Sequence, residues 1–277
     1  MDELDFTGGT ARDQIYDPAI ARTCFEALGK AESVEEGKFF FEHNQASDRM
    51  YLLLEGQVRL IRGAKTLDII KPGEIFGELA VLAGHPRTAS AVATSACRAL
   101  SLDAKQFEQA IQTTPEFALM LMGILINRLR LSVAILERTG NLPDRSAKDA
   151  SSVFDKGLLG ELTAALKQRP PQPFRAKRTI MKEGEKGGFM YVVVKGNVAV
   201  SIKSRVVERA GPGGVFGEMA LVDQSPRAAS AVAETDAELL PLYRDDFLSL
   251  VKTKPAFAVS LLRSLAERLR RMTAHQA

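Results

Sequence analysis

The sequence predicts a mostly β protein with flanking helices: two tandem β-barrel or jelly-roll domains, each followed by a short and a long helix. Three observations predict it. The segment Phe76-Gly77-Glu78-Leu79-Ala80 … Pro86-Arg87-Thr88-Ala89-Ser90 returns 140 residues later as Phe216-Gly217-Glu218-Met219-Ala220 … Pro226-Arg227-Ala228-Ala229-Ser230. Over residues 76–93 the copies share 11 of 18 residues without a gap, where unrelated sequence shares about one. Within each copy, short runs of Val, Leu, Ile and Phe are punctuated by Gly, and each set of runs is followed by helical patterns opening at a proline. The same offset aligns Met50-Tyr51 with Met190-Tyr191, Pro72-Gly73 with Pro212-Gly213, and Arg128-Leu129-Arg130 with Arg268-Leu269-Arg270. A unit this long is a duplicated domain rather than a solenoid repeat. The expected domains are residues 1–139 and 140–277.

Taken in order, residues 13–29 form an amphipathic stretch (Ile15, Ile20, Phe25, Leu28) that stops at Gly29, a helix-terminating residue. Strands follow at Phe39-Phe40-Phe41, 50–54, 57–61, 66–70, 90–93 and 98–102. Six short strands with Gly turns at this spacing suit a compact barrel or jelly roll. The second copy repeats them at 179–181, 190–194, 197–202, 206–210, 230–233 and 238–242. A short helix comes next (104–111; 245–251), then a longer one opening at Pro115 or Pro255, a residue suited to a first helical turn. Residues 139–152, polar with Gly, Pro, Asp and Ser, read as the linker. Pro170, Pro171 and Pro173 mark a loop entering the second barrel.

Composition excludes several classes. Hydrophobic content of 45% and charged content of 26% are ordinary globular values. The densest apolar run, Phe117 to Ile126, stops at Asn127-Arg128, so no bilayer span is expected. The helix from Phe117 to Leu136 is apolar on more than one face and is expected to be buried by its own barrel and by a partner or the second domain. An acidic Met-Asp-Glu-Leu-Asp start is no signal peptide, and two distant cysteines suit a reducing cytoplasm. A net charge of +3 makes no case for nucleic acid, and Arg263, Arg268, Arg270 and Arg271 read as the solvated face of the last helix. His43, His85 and His275 lack metal-ligand spacing and read as loop residues, and no phosphate-binding glycine loop, nucleophile elbow or kinase signature occurs.

The chemistry lies where the strand rhythm breaks, at 75–82. Gly77 permits close backbone approach, and Leu79 to Leu82 can make one helical turn whose free N–H groups suit an anionic oxygen. Arg87, set behind the φ-fixed Pro86, can hold a phosphate through its planar fork. Glu78 is a poor phosphate ligand but a good acceptor for a sugar hydroxyl, and Ala80 and Ala89 are small enough for close packing. Together they describe a sugar phosphate site, repeated in Gly217, Glu218 and Arg227.

This segment resembles the phosphate-binding cassette of cyclic-nucleotide-binding domains, the family of bacterial catabolite activators, protein kinase A regulatory subunits and cyclic-nucleotide-gated channels. The resemblance spans nearly the whole chain. It implies ligand contacts from Gly77, Glu78, Leu79, Ala80, Arg87 and Thr88, and from Gly217, Glu218, Met219, Ala220, Arg227 and Ala228. Glu78 and Glu218 would accept the ribose 2′-hydroxyl. Arg87 and Arg227 would hold the cyclic phosphate, helped by backbone N–H groups near Ala80 and Ala220. Register with the family's long helix would bring Ser132 to the base in copy one, and Met272 or Thr273 in copy two.

The function that follows is a non-enzymatic cyclic-nucleotide receptor, taking cAMP at both sites and tolerating cGMP better at the first. It would signal through helix rearrangement to an unknown protein effector, with a homodimer through the long helices allowed and no metal involved. A DNA-binding activator is the disfavoured alternative: its helix-turn-helix would need about 60 to 80 residues after the long helix, and the sequence stops at Ala277. A kinase regulatory subunit shares the tandem layout, but residues 1–30 hold only Arg12 and Arg22 where an arginine-rich inhibitor segment is expected.

Overall fold

A computed structural model describes residues 17–143 and 150–275. The chain gathers into two compact units. The first holds the described residues up to Asn127 together with Leu262–Arg270, and the second holds Arg128–Leu261 with the described residues from Arg271 onward. The sequence places the boundary at 139/140; the contacts group the last turns of the first long helix with the second unit.

The first unit opens with α1 (Pro18–Leu28). Its N-cap Asp17 accepts the Ala19 N–H, Pro18 supplies a preset φ, and Ala21, Cys24 and Phe25 form the buried face. The strands are β1 (Lys30–Val34), β2 (Phe39–Phe41), β3 (Arg49–Glu55), β4 (Val58–Arg62), β5 (Lys65–Ile70), β6 (Ile75–Phe76), β7 (Ser90–Ala93) and β8 (Cys97–Asp103). They pair antiparallel as two four-stranded sheets, β1-β8-β3-β6 and β2-β7-β4-β5, which is a jelly roll. Its core joins Tyr51, Leu53 and Phe76 of one sheet to Phe41, Val58, Ile70 and Ala91 of the other. Because side chains alternate along a strand, Met50 and Leu52 fall on the opposite face of β3 and are also buried, so the whole strand reads as apolar. Between β3 and β4 the chain turns at Gly56, φ 88°, where a Cβ would stand 2.4 Å from the Ala96 carbonyl oxygen; only glycine fits. Between β6 and β7 lies α2 (Glu78–Ala83), and after β8 come α3 (Ala104–Thr113) and α4 (Pro115–Thr139). A reciprocal Asp103–Gln106 capping box starts α3.

The second unit repeats this order. Following α5 (Lys156–Ala165) are β9 (Gln172–Phe174), β10 (Thr179–Met181), β11 (Phe189–Lys195), β12 (Val198–Ile202), β13 (Arg205–Ala210), β14 (Val215–Phe216), α6 (Glu218–Asp223), β15 (Ser230–Ala233), β16 (Ala237–Tyr243), α7 (Arg244–Thr253) and α8 (Pro255–Ala274). Its sheets run β14-β11-β16-β9 and β10-β15-β12-β13. The register matches too: Tyr51 pairs with Phe76, and Tyr191 with Phe216.

All twelve predicted strands are present, and both long helices open at their prolines. The sequence missed β1, β9, α5 and the two-residue strands β6 and β14, which fall at the start of the break in strand rhythm at 75–82 and of its repeat. Strands β1 and β9 are sheet edges, mostly exposed, so they lack the apolar runs that betray inner strands. Pro173 lies within β9, not in a loop; an edge strand tolerates a residue without an N–H. The first helix begins at Pro18, and residues 13–16 of the predicted stretch lie outside the described residues, as do 144–149 of the linker.

One expectation is corrected, the shared solvated face of the α8 arginines, and the apolar length of α4 has an explanation in the fold. By length and mean hydropathy, 1.8 over its best window, α4 would suffice to cross a membrane. Most of its apolar side chains are nevertheless packed inside, with Phe117, Met122, Leu125 and Ile126 at 0% exposure, while Leu131 is exposed. The arginines of α8 do not share one solvated face: Arg263 is exposed and paired with Glu108, whereas Arg268 is buried.

Candidate functional site

In the first unit β6 delivers Gly77, whose left-handed backbone (φ 75°) serves as the N-cap of α2 without any capping side chain. A Cβ there would sit 2.7 Å from Arg87 Nη1, so the glycine makes room for the arginine as well as the turn. Glu78 opens α2 and is 4% exposed. Arg87 returns behind Pro86 and is 2% exposed. Its backbone is fixed on both sides: its N–H donates to the Gln45 carbonyl and its carbonyl accepts the Asn44 N–H, each at 2.9 Å. Its guanidinium lies 3.9 Å over the Phe41 ring. Nη1 donates to the Gly77 carbonyl at 2.6 Å, and Nη2 donates to the Arg49 carbonyl at 2.6 Å and to the Ser47 hydroxyl. Nε is buried without a partner.

The second unit repeats the plan with fewer restraints. Gly217 (φ 84°) caps α6, Glu218 is 2% exposed and Arg227 is 4% exposed. Its N–H donates to the Glu185 carbonyl at 2.8 Å, and Nη1 donates to the Gly217 carbonyl at 2.8 Å. Phe189 lies beneath its guanidinium at 5.1 Å.

Burial pulls the pKa of both arginines down. At Arg87 this is opposed by Tyr51, Glu78 and Asp48, and at Arg227 by Glu218, Tyr191 and Glu185. Guanidinium stays cationic all the same. Each unit therefore keeps a cation out of water, hydrogen-bonded only to neutral oxygens, with a buried carboxylate close by. A buried charge is costly unless an opposite charge meets it. The Nε–H of Arg87 is a buried donor of the kind that suits an anionic oxygen, and a carboxylate is of the kind that suits a hydroxyl group. An anionic sugar fits this donor set.

The other predicted residues fall as follows. Ala80, Ala89 and Ala220 are buried, and Leu79, Met219, Thr88 and Ala228 are half-buried beside them. The Thr88 carbonyl accepts from Arg62 Nε at 3.0 Å. Ser132 is buried on α4, and the contacts group it, like Thr273, with the second unit. The reason is length: α4 has 25 residues, and its far end packs Val133 and Leu136 with Leu142, Ile202 and Val207. There Arg130 makes a two-pronged ion pair with Asp223 at the end of α6, at 2.5 and 3.1 Å. In the first unit, Glu267 of α8 meets His85 at 3.2 Å, just after α2. Among the described residues no group of three or more His, Cys, Asp or Glu could hold a metal ion.

Sequence reasoning missed Ser47 and Gly187. The signal was available, since the 140-residue offset sets Ser47 against Gly187 and Arg49 against Phe189, immediately before the repeated Met-Tyr pair.

The cyclic nucleotide-binding domain model matches residues 31–114 and again 171–254. The cAMP-dependent protein kinase regulatory subunit of Yarrowia lipolytica is 28% identical over 238 residues, covering 85% of this chain and 57% of that protein. The cyclic AMP receptor protein of Thermus thermophilus is 41% identical over 98 residues, covering 34% of this chain and 45% of that one. The chain thus spans about half the length of these two relatives. Among solved structures, the Thermus thermophilus catabolite activator protein covers 61% of this chain and 76% of its own at 24% identity and a TM-score of 0.43. The regulatory domain of Toxoplasma gondii protein kinase A, crystallised with cAMP, covers 98% of both chains at 20% identity and a TM-score of 0.33.

Proposed function

Because the chain belongs to the cyclic nucleotide-binding domain family, we propose that it is a non-enzymatic receptor with one cyclic-nucleotide site in each unit, passing occupancy to a protein effector. One observation carries the reading: a buried arginine, a left-handed glycine and a buried glutamate recur together in both units. In this reading Arg87 and Arg227 hold the cyclic phosphate and Glu78 and Glu218 accept the ribose hydroxyl. Backbone N–H groups at the start of α2 and α6 assist. The named relatives are regulators, which supports a signalling role without catalysis and a cytoplasmic setting. Binding shifts the protein only by the ligand's differential affinity for its two states, commonly about 1 to 3 kcal/mol. The helices after each barrel carry that shift. Kinase regulation is the favoured form of output, on the strength of the 238-residue likeness to a kinase regulatory subunit.

Calorimetric titration with cAMP and cGMP tests the receptor reading. Saturation at two equivalents per chain is expected. One equivalent would show a degenerate site, and absence of binding by either nucleotide refutes the reading.

Base choice should differ between the sites. Thr88 offers a hydroxyl where the second cassette has Ala228. Guanine in the syn form presents its 2-amino group there, whereas adenine has no matching group, so the extra bond favours cGMP by about 0.5 to 1.5 kcal/mol. The phosphate and ribose contacts are common to both ligands and dominate, so cAMP remains the expected ligand at both sites. The cAMP-to-cGMP affinity ratio, measured at each site with the other arginine replaced, should be lower at the first. A lower relative cGMP affinity at the first site would sink this assignment of Thr88.

A further inference from the structure

We propose that residue 47 and its counterpart 187 rank the two sites for the cyclic phosphate: Ser47 makes the first the weaker, and Gly187 makes the second the tighter. The ranking rests on the receptor reading above. A guanidinium has five N–H donors, and it grips a phosphate best when two parallel ones meet two oxygens. At Arg87 three donors are committed inside the protein. One Nη1 hydrogen goes to the Gly77 carbonyl, and both Nη2 hydrogens are taken by the Ser47 hydroxyl and the Arg49 carbonyl. The edge formed by Nε and Nη2 therefore presents only Nε, which is buried and unpartnered. A phosphate must take a single bond on that edge or displace an existing one.

At Arg227 a single donor is committed, Nη1 to the Gly217 carbonyl. One restraint has gone with the sequence, because Gly187 stands where Ser47 does and offers no hydroxyl. The other has gone with geometry, because Phe189 stands where Arg49 does and keeps a carbonyl, yet Arg227 donates to the Gly217 carbonyl instead. Gly187 is not there for its backbone angle, because its φ lies outside the left-handed region. It is there for space. A Cβ at 187 would fall 2.6 Å from Arg227 Nε, 2.7 Å from Cζ and 2.8 Å from the Ala220 Cβ. A serine at this place would push into the guanidinium. Carboxylates act on both arginines, Glu78 and Asp48 on Arg87, and Glu218 and Glu185 on Arg227. The hydrogen bonds differ between the sites: Nη1 and Nη2 of Arg87 donate to three acceptors, whereas Arg227 donates through Nη1 to one. One net hydrogen bond corresponds to about a two- to tenfold change in affinity.

The test uses the full chain and cAMP as probe, with each site isolated by replacing the other arginine with lysine. In the Arg227→Lys background, Ser47→Gly and Ser47→Ala should each tighten the first site about two- to tenfold. The melting temperature of the ligand-free chain should fall, because a bond of the free state is lost. A merely structural role would lower stability and affinity together. In the Arg87→Lys background, Gly187→Ser should weaken the second site. The ranking is overturned if the first site is the tighter in the unaltered pair, or if both Ser47 variants leave it unchanged or weaker. If neither cAMP nor cGMP binds the unaltered chain, the receptor reading falls and takes the ranking with it.

Discussion

Arg227→Lys is expected to weaken nucleotide binding at the second site by about 1.5 to 3 kcal/mol, roughly ten- to a hundredfold, and Arg87→Lys to do the same at the first. Lysine keeps the positive charge and most of the stem, so a loss this large isolates the planar fork. The size follows from burial. At 2% and 4% exposure neither arginine exchanges its hydrogen bonds readily with water, so geometry lost inside the site is not recovered from solvent. Titration of each single variant with cAMP reads the loss, and circular dichroism checks that the fold is kept. If both variants bind as tightly as the unaltered chain, these arginines are not the phosphate ligands.

Phe76→Ala is expected to cost about 3 to 5 kcal/mol of stability, as buried phenylalanine truncations do. The ring is 1% exposed. It stacks on Tyr51 at 5.1 Å and on Phe41 at 6.1 Å, and meets Phe40 edge-on at 5.1 Å. A loss of that size is a large share of the about 5 to 15 kcal/mol that holds a typical domain together. The same truncation should loosen the first site, because Gly77 follows immediately and Phe41 lies directly beneath Arg87. Denaturant unfolding followed by fluorescence or circular dichroism measures the stability change. A loss below about 1 kcal/mol would mean that the aromatic cluster repacks around the gap. Phe216→Ala is the parallel experiment in the second unit, where the ring is 2% exposed and lies 5.4 Å from Tyr191.

The sequence by itself determined the repeat, the strand-then-helix order and the cassette residues. These are written in local chemistry. Apolar runs of strand length, glycines at turns and prolines at helix starts act on their immediate neighbours, so they are visible without knowing the fold. Gly77 and Gly217 adopt a left-handed backbone and, as expected of glycine there, allow a close approach, in each case by the arginine. The tertiary structure alone decided what surrounds those residues. Strands β1 and β9 exist because β8 and β16 offer them an edge to pair with, and their own residues carry no inward-facing pattern. The far end of α4 groups with the second unit because Val133, Leu136 and Arg130 meet partners about 60 to 100 residues away in the chain. The state of Arg87 was the least legible of all. Its three restraints come from residues 10, 38 and 40 positions away, and whether a guanidinium is tied or open depends on which atoms meet it in space. Sequence names the donor; packing decides how many of its hydrogens remain for a ligand.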